Sequence, residues 1–209
     1  NSAIVYENPW PGFAEQRKFG LSKARHEWIL ALDTDERITQ ELREEIETLL
    51  ADENQKCCGF FIPRLSTFLG KFIRHSGWYP GHQLRLFLKS KTCVTDRAVH
   101  EGYEVQGETG HLQHYMEHHT HQTLSESFDR LSRYSQLEAL DRLKRNKRVH
   151  WWDFLTHPLS AFFNKFIALK GYKDGMHGFM IALITAALKM AMYMQLWALQ
   201  QEQERSPQK

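Results

Sequence analysis

The sequence predicts an α/β protein: an open sheet followed by a helical, largely apolar C-terminal region. Three observations carry this expectation. Short apolar or alternating runs at 3–6, 28–32, 59–65 and 83–89 alternate with helical patterns at 13–23 and 39–50, the order an open α/β sheet produces. The run Trp28 to Leu32 is apolar on both faces and stops at Asp33-Thr34-Asp35, as a strand buried in a covered sheet would. From residue 121 onward the period becomes helical, and 154–169 and 178–199 are strongly apolar. The expected division is therefore an α/β domain over 1–120 and a helical region over 121–209.

A chain of 209 residues can bury a sizeable core. Its formal net charge of +2 does not fit a global nucleic-acid binder, so no nucleic acid is expected as a partner. Cys57, Cys58 and Cys93 have neither metal-ligand spacing nor the pattern of a disulfide framework. The sequence opens at Asn1, without Met, and enters Ala3-Ile-Val-Tyr6 at once. That reads as the middle of a protein, cut just before a strand.

In chain order, Ala3 to Tyr6 is expected as a strand and Pro9-Trp-Pro-Gly12 as a turn. Phe13 to Lys23 follows as a helix that exposes Arg17 and Lys18 beside the coming acidic tip. If the strand at 28–32 persists through its tip, residues two apart point the same way, so Asp33 and Asp35 can reach one ion. Two hard oxygen donors suit Mg²⁺ or Mn²⁺, which in turn can hold a diphosphate. An EF-hand is excluded because Ile38 sits where that loop needs Gly. Thr39 is the expected N-cap of the next helix, whose apolar stripe is Leu42, Ile46, Leu49 and Leu50.

Phe68 to Pro80 breaks into a Gly- and aromatic-rich loop, and long loops in compact domains are often functional. Gln83 to Lys89 alternates, with Leu84, Leu86 and Leu88 on one face and Arg85 on the other, as a half-buried strand does. A further strand is expected through His111 to Tyr115. Five histidines lie between 111 and 121; one of them, His114, is the economical choice of extra ligand to a metal held by Asp35.

Thr123-Leu-Ser-Glu126 is a capping box. It opens a long helix with Leu124, Phe128, Leu131, Leu137 and Leu140 as its expected apolar side. The helix ends in Arg142, Lys144, Arg145, Lys147 and Arg148, followed by Trp151-Trp152 and an apolar tract. Cations, then tryptophans, then apolar residues describe a membrane interface with anionic headgroups. The last segment, Gly178 to Leu199, is long enough to span a bilayer. Its interior Lys189 favours a helix lying in the interface, or a re-entrant pair with 154–169, over a simple span. Burial in a soluble helical subdomain is the competing reading.

Taken together, Asn8-Pro-Trp-Pro-Gly-Phe-Ala-Glu-Gln-Arg17, Leu32-Asp-Thr-Asp-Glu-Arg37, Gly77-Trp-Tyr-Pro80, Gln83-Leu-Arg-Leu-Phe87, Val99-His-Glu101 and His114-Tyr115 resemble the family 2 glycosyltransferases. The resemblance is to the lipopolysaccharide core-biosynthesis branch related to the inner-core β-glucosyltransferases. It implies a GT-A fold, a nucleotide-sugar donor (a UDP-sugar), Mg²⁺ or Mn²⁺, and a glycolipid acceptor reached from the cytoplasmic face of the inner membrane, with peripheral or monotopic attachment. It further implies Arg17, Asp33 and Asp35 at the donor, the last two with His114 at the metal. Trp78, Arg85 and His100 fall at the acceptor, and Glu101 is the base that deprotonates it. Two features depart from the family. The strand and loop that grip the nucleotide base have no counterpart after Asn1, so the chain is expected to be N-terminally incomplete, and Lys18 stands where many relatives have Asn. A transferase acting on polyprenyl phosphate and a non-catalytic membrane-docking module are the alternatives.

Overall fold

The computed structural model describes residues 3–95 and 102–205. The first half of the chain forms α1 (Phe13–Lys23), β1 (Trp28–Leu30), β2 (Glu36–Ile38), α2 (Gln40–Leu50), β3 (Gly59–Ile62), β4 (Arg64–Phe68) and β5 (Lys71–Phe72). Next come β6 (Gln83–Leu88), β7 (Thr92–Thr95), β8 (Gly102–Val105), β9 (Thr109–His111) and β10 (Met116–His118). The remainder is helical: α3 (Leu124–Lys144), α4 (Asp153–Phe163) and α5 (Met176–Arg205). The class is mixed α/β, with a long apolar helix at its end.

The chain divides into two compact units, Asn1–Arg64 with His82–Glu117, and Leu65–Gly81 with His118–Lys209. A single cut at residue 120 would miss the segment 65–81, which folds with the helices.

The first unit is built on a sheet of order β1-β6-β3-β9. β6 pairs antiparallel with both β1 and β3, and only β3 and β9 run parallel. The order of strands along the chain is thus not their order in the sheet. Periodicity shows that a run is a strand, but β1 and β3 both choose a partner that enters much later in the chain. One face of the sheet is covered by α2: Leu42 and Ile46 bury against Phe60, Ile62, Leu86, Leu112 and Met116. Thr39 caps α2 by accepting the Leu42 amide at 3.2 Å, while Leu50, at the end of the expected stripe, is exposed. Ala3 to Tyr6 forms no strand; Ile4 and Val5 lie exposed. Strand-like composition without a pairing neighbour leaves the backbone unpaired, so the segment stays irregular. The His111-to-Tyr115 strand is likewise split, with β9 ending at His111 and β10 starting at Met116.

In the second unit β4 pairs with β5, and α5 packs against α3 and α4. Thr123 caps α3 by accepting the Glu126 amide at 3.2 Å; the Glu126 carboxylate reaches back to the Gln122 amide at 3.0 Å. The expected apolar side of α3 is not its packing side. Ser127, Ser135 and Ala139 are buried, whereas Leu124, Phe128, Leu137 and Leu140 are exposed. Small side chains let two helix backbones approach closely, and a larger residue there would hold them apart. The start of α5 depends on another close approach: a Cβ at Gly178 would collide with the Gly171 carbonyl. Backbone cannot rotate away, so Gly178→Ala is expected to destabilise the protein by ~1–3 kcal/mol, as overpacking does. Urea unfolding of the two proteins checks this; Gly20→Ala, in open space on α1, is the control.

Candidate functional site

The first unit contains a cavity of about 350 Å³ lined by Arg17, Asp33, Phe61, Arg64, His82, Gln83, Arg85 and Tyr103, among others. Its acidic wall comes from the turn between β1 and β2. Instead of a strand continuing through its tip, β1 stops at Leu30 and the Glu36 amide donates to the Asp33 carbonyl at 3.0 Å, closing a turn over Thr34 and Asp35. A turn brings two acidic residues near one another without the side-by-side alignment of a strand.

The turn is held by a residue that motif reading passed over. Glu36 is buried, with no side-chain exposure. It accepts the Asp33 amide at 3.0 Å and the Arg85 guanidinium at 2.6 Å, and pairs with Arg64 at 3.6 Å. The same Arg85 nitrogen also bonds the Asp33 carboxylate. Burial by itself would push the Arg85 guanidinium down, but Glu36 and Asp33 outweigh it and hold its proton more firmly than usual. Arg85 thus steadies the acidic turn rather than projecting freely towards an acceptor. The signal that could have found Glu36 is its place directly after Asp35, opposite an arginine on an otherwise apolar strand.

Arg17 reaches the cavity from α1 and lies 5.6 Å from the centre of the Tyr103 ring. Burial raises the Tyr103 hydroxyl above its ordinary range, against the pull of Arg17 and Arg85. Arg17, Asp33 and Arg85 are therefore brought together, and Asp35 follows on the same turn. His114 is not among them. Its backbone amide and ring Nδ1 are both held by Glu45 of α2, each at 2.9 Å, and it lines a different cavity with Glu41, Glu44 and Glu45. A carboxylate one helix away captures the ring that the sequence assigns to the metal. Among the described residues no group of three or more His, Cys, Asp or Glu side chains gathers in metal-binding geometry. Asp33 and Asp35 still fit Mg²⁺ or Mn²⁺ as an incomplete set, because such ions are commonly held by one or two carboxylates plus phosphate oxygens. The side chain of Asp33 is 48% exposed, with Oδ2 bonded to Arg85.

Trp78 belongs to the second unit. It packs edge-on against Phe68 at 5.9 Å and beside His121 at 5.3 Å. Its loop is anchored there: buried Asp174 accepts the His75 amide at 2.9 Å and faces His75 Nδ1 at 3.2 Å, and Lys165 donates to the Ser76 carbonyl at 2.9 Å. Burial pushes the Lys165 ammonium below its ordinary range. His100 and Glu101, expected at the acceptor and as the base, lie outside the described residues.

Comparison with known proteins places the chain beside glycosyltransferases. It is 30% identical over 111 residues to the lipopolysaccharide core biosynthesis glycosyltransferase LpsC of Rhizobium meliloti, covering 53% of this chain and 40% of that protein. It is 42% identical over 53 residues to the uncharacterized glycosyltransferase RT0209 of Rickettsia typhi, covering 25% of this chain and 18% of that protein. An uncharacterized glycosyltransferase of Rickettsia bellii is 40% identical over 53 residues, with the same shares covered. The chain thus spans well under half the length of these relatives. No family model and no solved structure matches it.

Proposed function

We propose that this chain is part of a glycosyltransferase of the family 2, GT-A type, which moves a hexose, glucose in the first place, from a nucleoside-diphosphate sugar to a lipopolysaccharide-core or related lipid-linked glycan. The observation that carries the reading is the cavity in which the Asp33 turn meets Arg17, Arg64 and Arg85. Sugar transfer with inversion needs charge stabilisation on the departing diphosphate and a base on the acceptor hydroxyl. Arg17 is placed to meet diphosphate charge, and Glu36 with Arg85 holds Asp33 in position. A divalent ion held by Asp33 and Asp35 would supply Lewis-acid neutralisation of the leaving group. Glu101 takes the base role and His100 and Trp78 the acceptor side, on the strength of the family resemblance. The similarity to a lipopolysaccharide core enzyme supports the acceptor class.

The same reading puts the enzyme at the cytoplasmic face of the inner membrane, against an anionic lipid surface. Among the described residues one helix, α5, is long and apolar enough to cross a membrane.

The test is donor binding to the full-length protein, followed by calorimetry with a UDP-sugar and Mn²⁺. Asp33→Asn and Asp35→Asn should each weaken Mn²⁺-dependent binding and nearly abolish turnover. Both variants retaining normal activity in the presence of a chelator would overturn the metal-clamp role.

A further inference from the structure

We infer that the second unit lies in the plane of one leaflet of an anionic bilayer, with α4 and α5 facing lipid and α3 facing water, rather than crossing the membrane. The inference rests on the membrane association proposed above and settles its geometry. The outward side of α5 is apolar along most of its 30 residues; Leu183, Met190 and Met194 are exposed there. On α4 the exposed Leu155, Leu159 and Phe163 recur every four residues and form one stripe.

Two polar side chains in the middle of α5, Lys189 and Gln195, are turned towards α3, although Gln195 Oε1 has no partner among the described residues. Lys189 donates to both carboxylate oxygens of Glu138 at 2.8 and 3.0 Å, and Gln195 donates to Ser135 at 3.2 Å. Burial pushes the Glu138 carboxyl up, but Lys189 and Arg142 outweigh it and hold it below the usual carboxylate range. Lys189, the residue that argues against a span in the sequence, is therefore no obstacle on its own.

The obstacle is α3. It runs alongside α5 in the same direction, as Glu138 meets Lys189, Arg142 meets Tyr193 at 3.2 Å and the Lys147 carbonyl accepts from Gln200 at 2.6 Å. Asp129, Arg130, Arg133 and Gln136 are exposed on that helix. Were α5 to span the hydrocarbon, these groups would be carried into it with nothing to solvate them, a costly arrangement. Lying flat, the same bundle puts them in water and the apolar stripes in the acyl region. The partner's charge follows from the basic stretch next to the stripes: Lys144, Lys147 and Arg148 are exposed, with Trp151 and Trp152 beside them. Cations and tryptophans at the edge of an apolar face match anionic headgroups and the interfacial belt.

The test uses the full-length protein and vesicles of one-third phosphatidylglycerol and two-thirds phosphatidylcholine. Binding should be at least ~10-fold stronger than to pure phosphatidylcholine, and high salt should weaken it only in part. With Cys57, Cys58 and Cys93 replaced by Ser, Lys173→Cys, just before α5, and Glu202→Cys, near its end, mark the two ends of the helix. Both should react with a membrane-impermeant maleimide added outside intact vesicles, and brominated lipid should quench tryptophan fluorescence. An end protected until the vesicles are broken means that α5 crosses, and overturns the in-plane geometry while leaving membrane association intact. A stable dimer that ignores vesicles means that the apolar face covers a second copy, and overturns both. Neither result touches the transferase reading, which donor binding tests separately.

Discussion

Glu36→Leu is expected to destabilise the protein by up to ~3–5 kcal/mol, the usual cost of breaking a buried ion pair by removing one member, with only the half-exposed Asp33 left on Arg85. Arg85 is 6% exposed and Glu36 has no exposed side-chain surface, so water cannot replace what is lost. That loss is a large fraction of the ~5–15 kcal/mol that holds a typical domain together. Removing the carboxylate also frees the Asp33 amide, so the acidic turn should loosen together with the core beneath it. Glu36→Gln keeps the shape and a hydrogen bond to that amide, and should be milder. Glu36→Leu combined with Arg85→Met removes both charges and should recover much of the stability, because a buried ion pair can often be exchanged for apolar packing. Denaturant midpoints of the three variants decide the matter. An unchanged midpoint for Glu36→Leu, or no recovery in the double variant, would remove the pair from the centre of this unit.

The second large effect concerns turnover. Glu101→Gln preserves size and removes basicity, so donor affinity should hardly change while the rate on the acceptor falls by ~10²–10⁴-fold, the typical contribution of a general base. The same change at the nearest rivals, Asp96→Asn and Glu104→Gln, should be much milder. Rates of the full-length enzyme on its acceptor, with donor binding measured alongside, distinguish these outcomes. A Glu101→Gln variant that turns over normally, or that fails only through loss of donor binding, takes Glu101 out of the role.

Local chemistry was legible in the sequence by itself. Thr39 and Thr123 announce two helix starts because an N-cap needs only a side-chain oxygen two or three residues before an amide. The abrupt stop of an apolar run at Asp33 marks a strand end for the same reason, that adjacent residues report it, but not the turn that takes the place of its tip. The mixed α/β class follows from the succession of periods. Four matters were decided only by tertiary structure. β6 became the neighbour of both β1 and β3, since pairing depends on which strands meet and not on their order. His114 went to Glu45 instead of the acidic turn, because a carboxylate on α2 stands closer in space than any spacing could show. On α3 the side that packs is Ser127, Ser135 and Ala139, not the leucines. Hydrophobic periodicity identifies an apolar face, but whether that face meets protein depends on how near the helices come. Glu36 shows the limit most clearly: beside two aspartates it reads as one more surface acid, and only the fold puts two arginines around it.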